Sequence, residues 1–210
     1  MIDLSVALLF AGACFALALT PGPDMLLIAS RSLSQGRASG FVSLAGIQAG
    51  TYCHALAAAL GLSQLVATVP AAYDIIRFAG AAYLAFLAWK AFTSDVSPLA
   101  TNETLPATPL LRIFRQGLVT NLLNPKMALF VLALFPQFID PGKGSLVLQM
   151  LVFATILNVI GLLVNGAVIV LASKVGNKLA SNARIARRLN QVLGVVFFGL
   201  ACRLALFSGR

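Results

Sequence analysis

Two stretches of this chain run without a single charged residue for longer than a lipid bilayer is thick. The 36 residues from Ala38 to Tyr73 contain no Asp, Glu, Lys or Arg, and neither do the 30 from Gly144 to Ser173. A helix needs only about 20 apolar residues to cross the hydrocarbon core. Backbone groups inside lipid must be satisfied within the segment, so such runs read as helices. Charged residues make up 10% of the chain, against about 25% in a soluble domain. A secreted domain, a nucleic-acid binder and an ordinary cytosolic enzyme are therefore excluded, and a polytopic all-α membrane protein is expected.

Six spans are predicted, at roughly Leu4–Ala29, Gly40–Val69, Asp74–Phe92, Leu111–Phe135, Leu146–Ala172 and Leu189–Phe207. The first has no basic stretch before it and no small-residue cleavage site followed by a polar chain, so it reads as a retained helix and not a signal peptide. The net charge of +9 lies between the spans, where it sets orientation and does not point to nucleic acid. Arg31, Arg37, Lys90, Arg112, Arg115, Lys174, Lys178, Arg184, Arg187 and Arg188 fall on one side; Arg77, Lys143, Arg203 and Arg210 fall on the other. Ten against four places the first set in the cytoplasm and both termini outside. The triplet Arg184, Arg187, Arg188 suits anionic headgroups as well as it suits this orientation signal.

The polar, proline-containing stretch at about 94–110 reads as a linker between two halves, 1–93 and 111–210. Three helices in each half is an odd number, so the halves have opposite topologies. Each half also contains an interrupted helix: Thr20-Pro21-Gly22-Pro23-Asp24 in the first span, and Asn121-Leu122-Leu123-Asn124-Pro125-Lys126 in the fourth. Proline inside a helix removes a hydrogen bond and clashes with the preceding turn, at about 3 kcal/mol. Asn124-Pro125 is a helix start, a cap residue followed by proline at the first helical position. Thr20-Pro21 or Gly22-Pro23 offers the same signal in the first half. Pro23-Asp24-Met25 matches Pro125-Lys126-Met127 at an offset of 102 residues, which is the pattern of an inverted repeat with a discontinuous helix in each half.

Asp24 and Lys126 are the charged residues that these spans put at depth, where an uncompensated charge costs roughly 2.5–3.5 kcal/mol. Two half-helix starts present unpaired N–H groups and partial positive charge. With a cation and an anion beside them, the arrangement suits both ends of a zwitterion, and an amino acid is the simplest one. The alternative is an internal ion pair that only fixes helix packing.

Thr20-Pro21-Gly22-Pro23-Asp24, Gln35-Gly36-Arg37, Arg115-Gln116-Gly117 and Asn124-Pro125-Lys126 together resemble the lysine exporter (LysE/RhtB) family of amino-acid exporters over nearly the whole chain. That resemblance implies efflux of amino acids or related metabolites across a bacterial inner membrane, driven by the proton gradient. It leaves open whether the substrate is basic, small neutral or branched. The expected substrate-binding residues are Asp24, Lys126, Gly22, Pro23, Asn124, Pro125, Asn121, Thr20, Gln48 and Asn158. Gln48 and Asn158 occupy comparable places in the two halves and fit site and packing equally well.

Proton coupling is assigned to Asp24, whose hold on a proton depends on whether Lys126 or a bound ammonium stands beside it, and to His54, because histidine is the side-chain type suited to relaying protons near working pH. A histidine on such a helix also serves simply to pack. Cys14, Cys53 and Cys202 lie apart without metal or redox spacing and read as packing residues. No metal or cofactor is expected, and Gly142-Lys143-Gly144-Ser145 has the wrong order for a phosphate-binding loop. The acceptor pattern at Asn102-Glu103-Thr104 falls on the cytoplasmic side and is read as chance. Partners are the amino acid, protons and membrane lipid, with a homodimer left open. The rival classes are a passive channel or facilitator on the same scaffold and an intramembrane enzyme.

Overall fold

The computed structural model describes residues 3–68, 72–93 and 108–175, together with 191, 195, 198, 199, 201, 202, 205 and 206. Most of the expected linker, and most of the expected sixth span, lie outside the described residues. Those described form helices and tight turns, with no strand among them. The helices are α1 (Leu4–Leu19), α2 (Pro23–Thr68), α3 (Ala72–Thr93), α4 (Leu110–Leu122), α5 (Pro125–Leu134) and α6 (Leu146–Val175). Two 3-10 turns, Phe135–Phe138 and Pro141–Lys143, connect α5 to α6.

Both proline motifs break their helices as expected. The α1–α2 and α4–α5 pairs are each bent by more than 40°, the second by 55°. Among the described residues, Leu146–Leu171 is long and apolar enough to cross a membrane alone, and each bent pair meets the same criterion jointly. The surface is that of a chain in lipid. α1 buries Phe10, Ala13, Cys14 and Leu17 while exposing Leu4, Leu8 and Phe15, so it is apolar on both its inner and outer faces.

One boundary differs from expectation. The first span was expected to end at Ala29, with Arg31 and Arg37 in a connection of about ten residues. Instead the helix continues to Gln35 and turns on Gly36 alone, at φ 83° and ψ 175°, a conformation that only glycine adopts without strain. Eight residues along a continuous helix lie about 12 Å apart, yet a Cβ on Gly40 would strike Ser32 Oγ. The chain therefore folds back at Gly36, and α2 comprises two arms, 23–35 and 37–68. Nothing between Ala29 and Gln35 breaks a helix, and polarity alone does not end one.

The longer arm of α2 crosses α4 backbone to backbone. A Cβ on Gly46 would meet Phe114 O, and one on Gly117 would meet Ser43 O. Close approach through small residues is how membrane helices gain packing when no hydrophobic force separates protein from lipid. Two clusters form the interior. The larger gathers Phe10, Phe130, Phe135 and Phe153 with residues of α1, α2, α5 and α6, the Phe10 ring lying 5.1 Å from Phe135 and 4.6 Å from Phe153. The smaller consists of Ile28, Leu44, Ile47 and Ile169. The two helix breaks lie between these clusters.

Candidate functional site

At the first break, α1 ends on Thr20, whose N–H donates to Ala16 O (3.2 Å) and whose hydroxyl donates to the same carbonyl (2.9 Å). α2 starts at Pro23, its first bond running from Leu26 N to Gly22 O (3.0 Å). Gly22-Pro23 is thus the helix start, and Thr20 closes the preceding helix. At the second break Asn124 caps α5, its Oδ1 accepting from Lys126 N (3.0 Å), with Pro125 as first residue.

The first-turn charge of each half reaches across to the broken end of the other. Lys126 Nζ donates to Leu17 O (3.0 Å) and Thr20 O (2.7 Å), the carbonyl end of α1, where a cation is favoured. Asp24 Oδ2 accepts from Asn121 Nδ2 (2.8 Å), in the last turn of α4. Asp24 Oδ1 is buried and has no hydrogen-bond partner, although the Asn124 side chain, Lys126 and His54 all stand within electrostatic range of this carboxylate. One expectation is corrected. Unpaired N–H groups were expected at both half-helix starts, but at α5 the Lys126 amide is taken by the Asn124 side chain and that of Met127 by Asn124 O (3.1 Å). A cap and an internal turn satisfy them before any ligand arrives.

Between the breaks lies a cavity of about 60 Å³, room for a few waters. Its polar lining includes Thr20, Asp24, Gln48, Asn124, Lys126 and Asn158, and Gly22 borders it too. Pro23 and Pro125 shape the helix starts without lining it. Asn121 stands behind Asp24, wholly buried. His54 Nε2 is 3.0 Å from Asn121 O and is likewise absent from the lining. Gln48 and Asn158 bond reciprocally: Gln48 Nε2 donates to Asn158 O (2.8 Å) and Asn158 Nδ2 to Gln48 O (3.1 Å).

Two polar residues that the sequence offers for either pathway lining or helix packing, and one that it places in a connection, join the picture. Thr51 and Asn165 line the cavity; they follow Gln48 by three and Asn158 by seven residues, helical spacings that put them on the same faces. Arg31, expected in a polar connection, is only 8% exposed. Its guanidinium donates to Thr108 Oγ1 (3.2 Å) and Gln116 Oε1 (2.7 Å), tying the short arm of α2 to the start of α4 beyond the smaller apolar cluster. No sequence signal marked it, because its partners come from the other half.

At the opposite end Lys143 Nζ bonds Asp3 Oδ2 (2.5 Å) and stands 3.5 Å from Asp140 Oδ2. The Lys143 ammonium holds the Asp3 carboxyl below the usual carboxylate range, and the two carboxylates raise Lys143.

Comparison with known proteins gives a consistent result. The family model described as LysE type translocator matches residues 15–208. A leucine efflux protein of Salmonella choleraesuis (strain SC-B67) is 29% identical over 92% of this chain and 91% of its own length. A leucine efflux protein of Enterobacter sp. (strain 638) is 30% identical over 91% and 90%. A membrane protein of Vibrio cholerae serotype O1 is 32% identical over 97% of this chain and 98% of its own. No solved structure matches.

Proposed function

The chain belongs to the LysE type translocator family, a transporter and not an enzyme, and from that premise we propose that it exports amino acids by alternating access around the cavity between its two helix breaks. The observation that carries this reading is the placement of one anion and one cation, Asp24 and Lys126, in the wall of a single cavity at two interrupted helices. Asp24 Oδ1, buried without a partner, is the acceptor for the substrate ammonium. Lys126 is the cation for its carboxylate, released in part from the α1 carbonyls as the ligand binds. Gln48, Asn158, Thr20, Gly22 and Asn124 complete the wall, and Pro23 and Pro125 keep the breaks open. Asn121 acts on Asp24 from behind.

An inverted repeat explains the cross-over pattern. Each half lends a first-turn charge to the other's broken helix, and Gln48 and Asn158 exchange equivalent bonds, as residues related by a two-fold axis do. The same offsets, 102 between the broken helices and 110 between Gln48 and Asn158, relate Ile28, Leu44 and Ile47 of the smaller cluster to Phe130, Ala154 and Leu157 of the larger. In this reading the two clusters are the opposed gates. The cavity is far smaller than an amino acid, so one gate must part for loading. Arg31, Arg37, Arg112 and Arg115 share the end beyond the smaller cluster, and Lys143 lies at the other. The positive-inside rule then makes the Arg31 end cytoplasmic in a bacterial inner membrane, with the N-terminus outside.

Protons drive export in this reading, with Asp24 carrying the proton inward when the ammonium has left and His54 supporting it through Asn121. Proteoliposomes loaded with labelled leucine test the proposal. Efflux accelerated by an imposed inward proton gradient is the expected result. Efflux that follows only the leucine gradient would reduce the protein to a facilitator, and the absence of any amino-acid flux would overturn the reading.

A further inference from the structure

We infer that the outward face of α4 binds an anionic phospholipid, with the headgroup phosphate on Arg112 and Arg115 and an acyl chain along the apolar side chains that follow them. The site is separate from the cavity, which lies toward the other end of this helix.

The inner face of α4 is set by Ile113, Gly117 and Asn121, buried at four-residue intervals, with Gly117 against the backbone of α2. Helical spacing turns Leu111, Arg115, Val119 and Leu122 outward, with Arg112 at the edge of the same face. All five are exposed. Two cations therefore stand on a face that is otherwise apolar and meets lipid. Arg115 has Leu111 one turn before it and Val119 one turn after it, and a guanidinium in that position lays its stem on the apolar surface and sends its charge to the headgroups.

The surroundings add positive charge and do not offset it. Arg112 and Gln116 are one turn apart on α4, and Gln116 Oε1 accepts from the buried Arg31, whose other acceptor is the Thr108 hydroxyl. Both acceptors are neutral, so Arg31 brings a third cation to this corner. α4 itself opens with no acid in its first turn and no side-chain cap, where the helix carries partial positive charge. The carboxylates among the described side chains are engaged elsewhere, Asp3 and Asp140 with Lys143 and Asp24 with Asn121.

These features define the ligand. Three cations without a carboxylate call for a headgroup of net negative charge, and the planar fork of arginine matches phosphate oxygens. Val119 and Leu122 follow the arginines by about 6–15 Å along the helix axis, within the length of one acyl chain. A soluble phosphate would gain nothing from them, so the ligand is a lipid and not a free anion. Each arginine near an anionic headgroup contributes about fivefold in affinity.

The test is the thermal midpoint of the purified full-length protein in detergent, titrated with phosphatidylglycerol, phosphatidylcholine or inorganic phosphate, since a ligand raises the midpoint according to its concentration over Kd. Phosphatidylglycerol is expected to raise it at concentrations where the other two do not. Arg112→Gln and Arg115→Gln, at exposed positions, are expected to keep the lipid-free midpoint and to need about fivefold more phosphatidylglycerol for the same rise, and the double variant about 25-fold more. No rise with phosphatidylglycerol, or an equal rise with phosphatidylcholine, would overturn the site, and an equal rise with phosphate would make it a free-anion site instead. Loss of the rise on replacing Arg184, Arg187 and Arg188 by glutamine, with none on replacing Arg112 and Arg115, would move the lipid to that triplet and overturn the assignment. A rise that emerges only with Asp95→Asn and Glu103→Gln would show that the chain's own acids take these arginines, and would overturn it too.

Discussion

Asp24 and Lys126 differ in what the chain already gives them. Lys126 has two backbone carbonyls as acceptors, whereas one Asp24 oxygen waits for a donor. Asp24→Asn removes the charge that a substrate ammonium or a proton needs and leaves the Asn121 contact available, so the variant should insert and fold with transport lost. Lys126→Met should lose transport as well, and some stability, because the α1 carbonyls lose their cation. Export assays paired with membrane abundance separate the two effects. At the end of the molecule that carries Asp3 and Lys143, the sign of the pH dependence is fixed by the pair. Asp3 is held low by Lys143 and Lys143 is held high, so their contribution is present between about pH 4 and pH 10 and is lost below and above those limits. Both are exposed to solvent, and Asp3→Asn should shift the thermal midpoint little at neutral pH. The charges at the two helix breaks, Asp24 and Lys126, were legible in the sequence, because a charge beside a proline in an apolar run has few explanations. Their hydrogen-bond partners were not, since Leu17, Thr20 and Asn121 lie about a hundred positions away and only tertiary packing brings them near.

Among elements, the crossing of α2 over α4 is the most sensitive joint. Gly46 and Gly117 each face backbone of the other helix, and no side chain there has room to yield. Gly46→Val or Gly117→Val should destabilise the protein by about 1–3 kcal/mol or prevent its accumulation, measured as the thermal midpoint in detergent, while alanine at exposed Gly12 should be neutral. Asn124→Ala removes the α5 cap and should cost about 1 kcal/mol; a larger loss of transport than of stability would mark the cap as part of the site. The broken helices were read correctly because Gly22-Pro23 and Asn124-Pro125 obey local rules of helix starts. The Gly36 turn was missed because glycine in a polar stretch signals a connection of any length, and only the contact of Gly40 with Ser32 shows that one residue suffices. Arg31 was misjudged for a related reason: once the helix runs on to Gln35, that side chain is carried inward against Gln116.

At the scale of the whole molecule, the proposed cycle makes the smaller apolar cluster and Arg31, tied to Thr108 and Gln116, the gate at the end rich in arginine. In a variant with Cys14, Cys53 and Cys202 replaced by serine, Ile28→Cys should react slowly with a hydrophilic maleimide, since Ile28 is fully buried. Adding Arg31→Met should speed that reaction several-fold by untying the short arm of α2 from α4, and leucine should change the rate in both backgrounds. Equal rates in all conditions would mean that this layer is fixed scaffold and not a gate. The central claim, that one cavity with Asp24 and Lys126 in its wall carries an amino acid across the membrane, is tested most directly by leucine efflux from proteoliposomes containing wild type, Asp24→Asn or Lys126→Met. The account predicts efflux well above protein-free vesicles for the wild type and efflux at the protein-free rate for both variants. Variants that export at the wild-type rate would contradict it.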